Sequence, residues 1–484
     1  VFLNKRTDYD KALVAGYDRL IDILESDDPS NKKTSHDIMF FITSSNEAFN
    51  LCKILNHHIE QEKKNKCKIT CQGDVFCIEV FSGMSIDKQN LAQDKEAYKQ
   101  NKYNRKVVIA TNVAESSLTI DGIKYVIDTG YELSGSYDPI LRARRLDRNM
   151  ITQAQAKQRM GRAGRTEPGT CYHLYTRDEF DHKMIKFPEP DIRTSNITME
   201  CLRLLDNDNI QTVEKLIKIL SDFIEPPREN YIRAAVEILS DLGALKDNKI
   251  SEYGKLLNQL PENDIFLANT LVFGKIYDCS NEIIKINSLI NTIRGNMSDL
   301  YDLPSKEKMT KQIEEKLKNT NKKFIHKYGD HLTLLNIYEE FEKQLENNNK
   351  DKLYEWCYEN FLKANTLLKV PHEYKKTKEK LRGVERIEPE KIGIKYFEKV
   401  KSLNIDERVL ACYIMGFQLN TAVKINNGYN TRYSRDEVKI ARISTLSDKK
   451  PKNIVYNELF ISMDRSQLTI VSEIPNKIVE ILRG

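Results

Sequence analysis

No apolar run in this 484-residue chain approaches the ~20 residues needed to cross a bilayer, so no membrane-spanning helix and no membrane partner is expected. The start, Val1–Tyr9, reads as polar and basic, and no secretion signal is expected. An intracellular location, cytoplasmic or nuclear, follows as the expectation. Nine cysteines are scattered without the paired C-x-x-C of a zinc ribbon. The one cluster, Cys67, Cys71 and Cys77, sits near His57 and His58 but lacks ligand spacing. Reduced thiols and no metal site are therefore expected. There is also no G-x-x-x-x-G-K-[ST], so no loop of backbone amides and lysine is available to cradle phosphates. Strong charge of one sign is missing too. With 30% charged residues the net charge is only +5, so any contact with nucleic acid would be a lined channel rather than a basic coat. Basic segments such as Lys63–Lys68 and Lys375–Arg386 read as solvated surface.

What the chain does have is concentrated in Gln158–Arg165, Q-R-M-G-R-A-G-R. If a helix begins there, Gln158 and Arg162 share a face four residues apart, and Arg165 follows three later. Two guanidiniums and an amide aimed at one point suit a phosphoryl group in transit. The arginines neutralise charge on the transferred oxygens, and the amide orients an attacking water. Arg159 points off that face and reads as structural.

The surrounding rhythm is βαβ. Strands are expected at Ile38–Thr43, Val75–Phe81, Val107–Thr111, Lys124–Asp128 and Thr170–Tyr175, and helices at Asn46–Gln61, Asp87–Gln100 and Gln153–Arg162. Strands this apolar are covered on both faces, as in a doubly wound parallel sheet. Its sites lie beyond the carboxyl ends of the strands, where Thr43, Thr111 and Thr129 emerge.

The ordered series His36–Glu47, Val107–Gly130 and Gln158–Arg165 resembles motifs IV, V and VI of the DEAH-box RNA helicases of superfamily 2. The resemblance covers nearly the whole chain and implies a multidomain protein. Residues 1–193 would be the second RecA-like α/β domain with its parallel sheet. Residues 194–258 would be a winged helix, built from the helix Glu229–Leu242, its stop at Gly243 and a hairpin turning at Asp247-Asn248. An α-helical bundle, ratchet-like, would span 259–374 and a basic linker 375–404. An all-β OB-like barrel would occupy 405–484, with strands at Glu437–Ile443, Asn453–Phe460 and Leu468–Val471.

Roles then carry over position by position. Gln158, Arg162 and Arg165 resemble the catalytic residues, with both arginines on the γ-phosphate. Thr119 and Asp121 resemble the nucleotide-ribose contacts. Thr43, Ser44, Thr111, Asn112 and Ser117 resemble the RNA-backbone contacts, which bind phosphates without reading bases. Where relatives read F-L-T-G-Q in motif IV, this chain reads Phe41-Ile42-Thr43-Ser44-Ser45. Tyr98 stands near the position of the base-stacking aromatic. Four arginines, Arg142, Arg144, Arg145 and Arg148, line the strand-parting hairpin at about Gly135–Met150 and read as phosphate contacts or as an exposed basic loop.

The resemblance implies ATP with Mg as cofactor, the Mg held by an N-terminal RecA-like domain. No D-E-A-H is present either; Asp178-Glu179-Phe180-Asp181-His182 lacks its spacing. The chain reads as the C-terminal half of such an enzyme, inactive alone. Its implied partners are single-stranded or partly duplex RNA, the N-terminal domain and an activator protein. Two other readings stay open: an RNA-binding scaffold derived from a helicase, and a DNA-acting helicase of the same superfamily.

Overall fold

A computed structural model describes residues 1–26, 37–65, 74–94, 103–116, 118–165, 168–303, 310–347, 349–384, 387–390, 392–395, 397–434, 436–463 and 465–483. It divides into two compact units, Val1–Gly135 with Leu146–Glu189, and Ser136–Arg145 with Pro190–Gly484.

The first unit is a parallel α/β sheet. Its strands are β1 (Phe2–Leu3), β2 (Asp37–Phe41), β3 (Asp74–Val80), β4 (Tyr103–Ala110), β5 (Ile123–Asp128) and, after the hairpin β6 (Tyr131–Asp138) and β7 (Ala143–Met150), β8 (Thr170–Thr176). They run in the order β1-β8-β5-β2-β4-β3, every pair parallel. Alternation along β2 shows why both faces must be covered. Ile38 and Phe40 enter one buried cluster with Leu20, Leu24 and Leu55 from the helices Tyr9–Ser26 and Ser45–Asn65. Met39 and Phe41 enter the opposite cluster with Ala92, Ala114 and Ala163. Packing on the first face is close: a Cβ on Gly16 would lie 2.5 Å from the Phe40 ring. At the exit of β5, Gly130 takes φ +78°, and a Cβ there would meet the Tyr175 ring at 2.4 Å, so only glycine fits.

Two helix starts are set by reciprocal capping. The Glu47 amide donates to Ser44 Oγ while Glu47 Oε2 accepts from the Ser44 amide at 3.0 Å. The Thr152 hydroxyl accepts from the Gln155 amide, and Gln155 Oε1 accepts from the Thr152 amide at 2.9 Å. The helix Gln153–Met160 then tightens into a 3₁₀ turn over Gly161–Gly164, so the α-helix ends two residues short of the expected Arg162. The helix expected over Asp87–Gln100 is seen as Ile86–Gln93; residues 95–102, Tyr98 among them, lie outside the described residues.

Three findings depart from the sequence expectations. The helix Tyr9–Ser26 was not anticipated. Cys52 and Cys77 form a disulfide, where reduced thiols were expected. A 25-residue separation conceals that the helix Ser45–Asn65 lies along β3 and brings their Cα atoms within 5.7 Å. Cys67 and Cys71 lie outside the described residues. Finally, the stretch expected to be rich in strands from Ile405 opens with a buried helix, Ile405–Gly416. Val409, Leu410, Ala411, Cys412 and Tyr413 are all inaccessible to solvent, so that helix has no polar face to reveal its period.

The second unit is largely helical, with strands at its carboxyl end. The helix Glu229–Asp241 closes at Gly243 (φ +79°), and β9 (Leu245–Lys246) and β10 (Lys249–Ile250) form a hairpin through left-handed Asp247 and Asn248. Helices Ile265–Ile276, Ser280–Thr292, Asp330–Asn347, Val370–Arg382 and Ile405–Gly416 share one apolar core. The strands β11 (Thr421–Lys424), β12 (Tyr429–Thr431), β13 (Lys439–Ile440), β14 (Asn453–Ser462) and β15 (Arg465–Glu473) follow the order β12-β11-β14-β15-β13. A single bridge, Tyr429 to Val438, links the two ends of that order. Asp330, wholly buried, joins helix to strands by accepting from the Thr445 and Val471 amides, both at 2.8 Å. No helix among the described residues is long and apolar enough to cross a membrane.

Candidate functional site

The carboxyl ends of β2, β4 and β5 lie side by side. The Ile42 amide donates to the Ala110 carbonyl at 2.8 Å, and the Thr129 amide to Phe41. Thr43, Thr111 and Thr129 thus emerge together, but their side chains are buried. The Thr43 hydroxyl donates to Glu47 Oε2 at 2.8 Å, and the same oxygen takes the Tyr9 hydroxyl, also at 2.8 Å. Arg148 approaches the other Glu47 oxygen at 3.0 Å, with its guanidinium over the Tyr9 ring. Ser44 is half-buried as the helix cap. Among the described residues, Asn112 alone of the expected contacts on this edge is exposed, and its Nδ2 donates to Glu132 Oε2 at 3.2 Å. Ser117 lies outside the described residues.

The three arginines of Gln158–Arg165 have three different surroundings. Arg159 is inaccessible and bridges Glu115 at 2.6 Å and Asp128 at 2.9 Å. Burial alone would push Asp128 up, but the Arg159 guanidinium, with His173 and the Gly130 amide, outweighs it and holds the carboxyl at about 2. At Glu115 burial wins over the same guanidinium, and its pKa is raised. Arg162 is buried and donates to the carbonyls of Leu118, at 3.0 Å, and Glu115. Desolvation, then the charge of Arg165, lowers its pKa. Arg165 is more open, 3.9 Å from Asp121. The loop 118–122 and the turn 161–165 therefore form one edge holding Arg162, Arg165, Asp121 and exposed Thr119. Gln158 is exposed on the helix before that turn and has no partner among the described residues.

The hairpin arginines, expected either as phosphate contacts or as an exposed basic loop, are each engaged with a carboxylate within the protein. Arg142 meets Glu237 at 3.3 Å and lies over the Tyr433 ring. Arg144 meets Glu458 at 2.9 Å, and Arg145 meets Asp138 at 3.3 Å. Arg148 holds Glu47. Burial pushes the Glu458 carboxyl up to about 7, against the pull of Arg144.

Reading by sequence missed Tyr9, Glu47, Glu115, Asp128 and Glu132. Only Glu47 had a local signal, the S-x-x-E spacing from Ser44.

Residues 16–167 match the helicase conserved C-terminal domain. A putative ATP-dependent RNA helicase L540 of Acanthamoeba polyphaga mimivirus is 35% identical over 325 residues, covering 66% of this chain and 44% of that protein. The ATP-dependent RNA helicase DHX33 of Mus musculus is 34% identical over 362 residues, covering 73% of this chain and 46% of its own length. The chain thus spans less than half the length of these curated relatives.

Proposed function

Since this chain belongs to the DEAH-box superfamily 2 RNA helicases, we propose that it supplies the arginine side of an interdomain ATPase and part of the track on which RNA moves. The observation that carries the reading is the edge of Arg162, Arg165, Thr119 and Asp121, where two guanidiniums stand beside a hydroxyl and a carboxylate. Arg162 and Arg165 would face the γ-phosphate, Gln158 the attacking water, and Thr119 and Asp121 the ribose. This edge is cationic, so the Mg²⁺ that accompanies ATP belongs with an upstream RecA-like domain carrying the phosphate loop. ATP supplies the γ-phosphoryl group that is transferred to water, with ADP leaving; the residues here would orient that group and neutralise its charge.

We further assign residues 1–193 to the second RecA-like domain, 194–258 to a winged helix, 259–374 to a ratchet-like bundle and 405–484 to an OB-like domain; of the stretch 375–404 expected as a linker, residues up to Arg382 continue the helix Val370–Arg382, whose Leu381 is buried in the apolar core. The helix-and-hairpin 229–250 and the strand order of β11–β15 support the winged-helix and OB-like assignments. Closure and release of the upstream domain would step Thr43, Ser44, Thr111, Asn112 and Ser117 along single-stranded RNA, with an activator protein setting the rate.

RNA-stimulated ATPase of this chain joined to its upstream half tests the proposal. Arg162→Ala is expected to lower the turnover by about 10³-fold or more. Unchanged turnover in that variant would remove Arg162 from the site.

A further inference from the structure

Lys439 on β13, and Arg442 and Lys450 in the segment after it, are exposed, and none has a carboxylate partner among the described residues. The turn that presents them is nevertheless fixed. The Ala441 amide donates to the Leu468 carbonyl of β15 at 2.9 Å, and the Lys450 amide to the Leu446 carbonyl at 3.1 Å. Between them, Asp330 accepts from the Thr445 amide and hydroxyl at 2.8 and 2.7 Å, and Leu446 is inaccessible. Lys450 itself holds φ +47°, an uncommon left-handed conformation for a residue other than glycine.

Two hollows meet on this turn. One, of about 740 Å³, is lined by Lys439, Arg442 and Lys450 together with Ser447 and Asp448. The other, of about 310 Å³, is walled by Tyr301, Leu317, Phe324 and Ile325. Arg442, Ser447 and Asp448 line both, so a cationic hollow opens directly on an apolar one. Ile325 remains 40% exposed on the apolar wall.

A nucleic-acid strand matches this pair poorly, because it stacks its bases on open aromatic faces. Tyr429, in the cationic hollow, is buried and donates its hydroxyl to the Pro451 carbonyl at 2.7 Å. Phe324 is buried with its ring edge-on to Trp356, and Tyr301 is half-buried. Leu317 and Ile325 are aliphatic, and Asp448 puts a carboxylate where the hollows join. A peptide carries its apolar and acidic groups on separate side chains and has backbone N–H donors that can face Asp448. We propose that this face docks an acidic segment of a partner protein. One apolar side chain of the segment anchors against Phe324 and Ile325, and its flanking carboxylates pair with Lys439, Arg442 and Lys450. Arg442 is the central contact, since it lines both hollows and a guanidinium can hold a carboxylate through two N–H groups. The inference does not depend on the ATPase or track readings.

The test is selection from a displayed library of random dodecapeptides on the immobilised 484-residue chain, followed by fluorescence anisotropy of the recovered peptides in fluorescein-labelled form. Recovered sequences should place aspartate or glutamate beside a single aromatic or branched apolar residue. Arg442→Glu should weaken their binding about tenfold, the size of one charge-assisted hydrogen bond. Serine in place of the peptide's apolar residue should weaken it by a similar factor. Asp448→Lys, at an exposed position, adds a cation and should tighten binding, a gain that misfolding cannot imitate. A recovered set without acidic residues, or acidic peptides indifferent to Arg442→Glu or to Asp448→Lys, overturns the inference. So does a fluorescein-labelled uridine dodecamer whose binding falls with Arg442→Glu while that of the peptides does not, which would give the face to nucleic acid.

Discussion

Arg159, Arg162 and Arg165 lie within seven residues, yet their positions make them different chemical groups. Arg159 is a buried counter-ion whose loss would strand two carboxylates, Arg162 is tied to backbone carbonyls, and Arg165 is open to a ligand. His331 is a second residue defined by its surroundings. It is inaccessible, its Nδ1 pairs with Ser472 Oγ at 2.8 Å, its ring lies tilted with its centroid 4.0 Å from that of Tyr413, and its Nε2 has no partner among the described residues. Burial pushes its pKa down to about 3. The folded residue stays neutral while the unfolded one takes up a proton as pH falls through about 6.5, so its contribution is intact above that pH and is lost progressively toward about 3. Between pH 7 and pH 5 the loss from this group should be about 2 kcal/mol. Urea midpoints at the two pH values read it directly. His331→Phe should flatten that part of the dependence; an equally steep fall in the variant would clear His331 of the effect.

At the scale of elements, cross-links rather than propensities hold the pieces of the first unit in place. Helix Ser45–Asn65 is anchored at its start by the Ser44–Glu47 box and along its length by the Cys52–Cys77 disulfide to edge strand β3. Closing a 25-residue separation restricts the unfolded chain, with an expected contribution of ~3.5 kcal/mol in the chain-entropy account. Reduction with dithiothreitol should accelerate amide exchange in β3 and in that helix, and much less in the central strands β2 and β5. Identical exchange with and without reductant would mean that packing alone holds the edge.

For the molecule as a whole, the near balance of charge has a measurable consequence. Arg142, Arg144, Arg145 and Arg148 each face a carboxylate, so the hairpin that carries them adds little cationic charge to neutralise phosphates. Single-strand binding weakens with salt by a log–log slope of about 0.7 per phosphate neutralised, so a shallow slope, between about −1 and −3, is expected. Arg142→Ala and Arg144→Ala should leave it unchanged and instead reduce the stability of the second unit. A slope that drops by about 0.7 in either variant would restore those arginines to the nucleic-acid interface.

The parallel strands, the Gly243 stop and the Asp247-Asn248 turn could be read from residue order, because each depends on local periodicity or on a dihedral preference within a few residues. So could the motif series that brings Thr119, Asp121, Arg162 and Arg165 to attention. The sequence was silent wherever the deciding partner lies far along the chain. Cys52 finds Cys77, Arg148 finds Glu47, Arg144 finds Glu458, and Glu132 joins Asn112 to Gln155 only after the strands are in place. Whether an arginine meets a carboxylate or a ligand is settled by acceptors that packing brings within 3 to 4 Å, and local sequence carries no record of them.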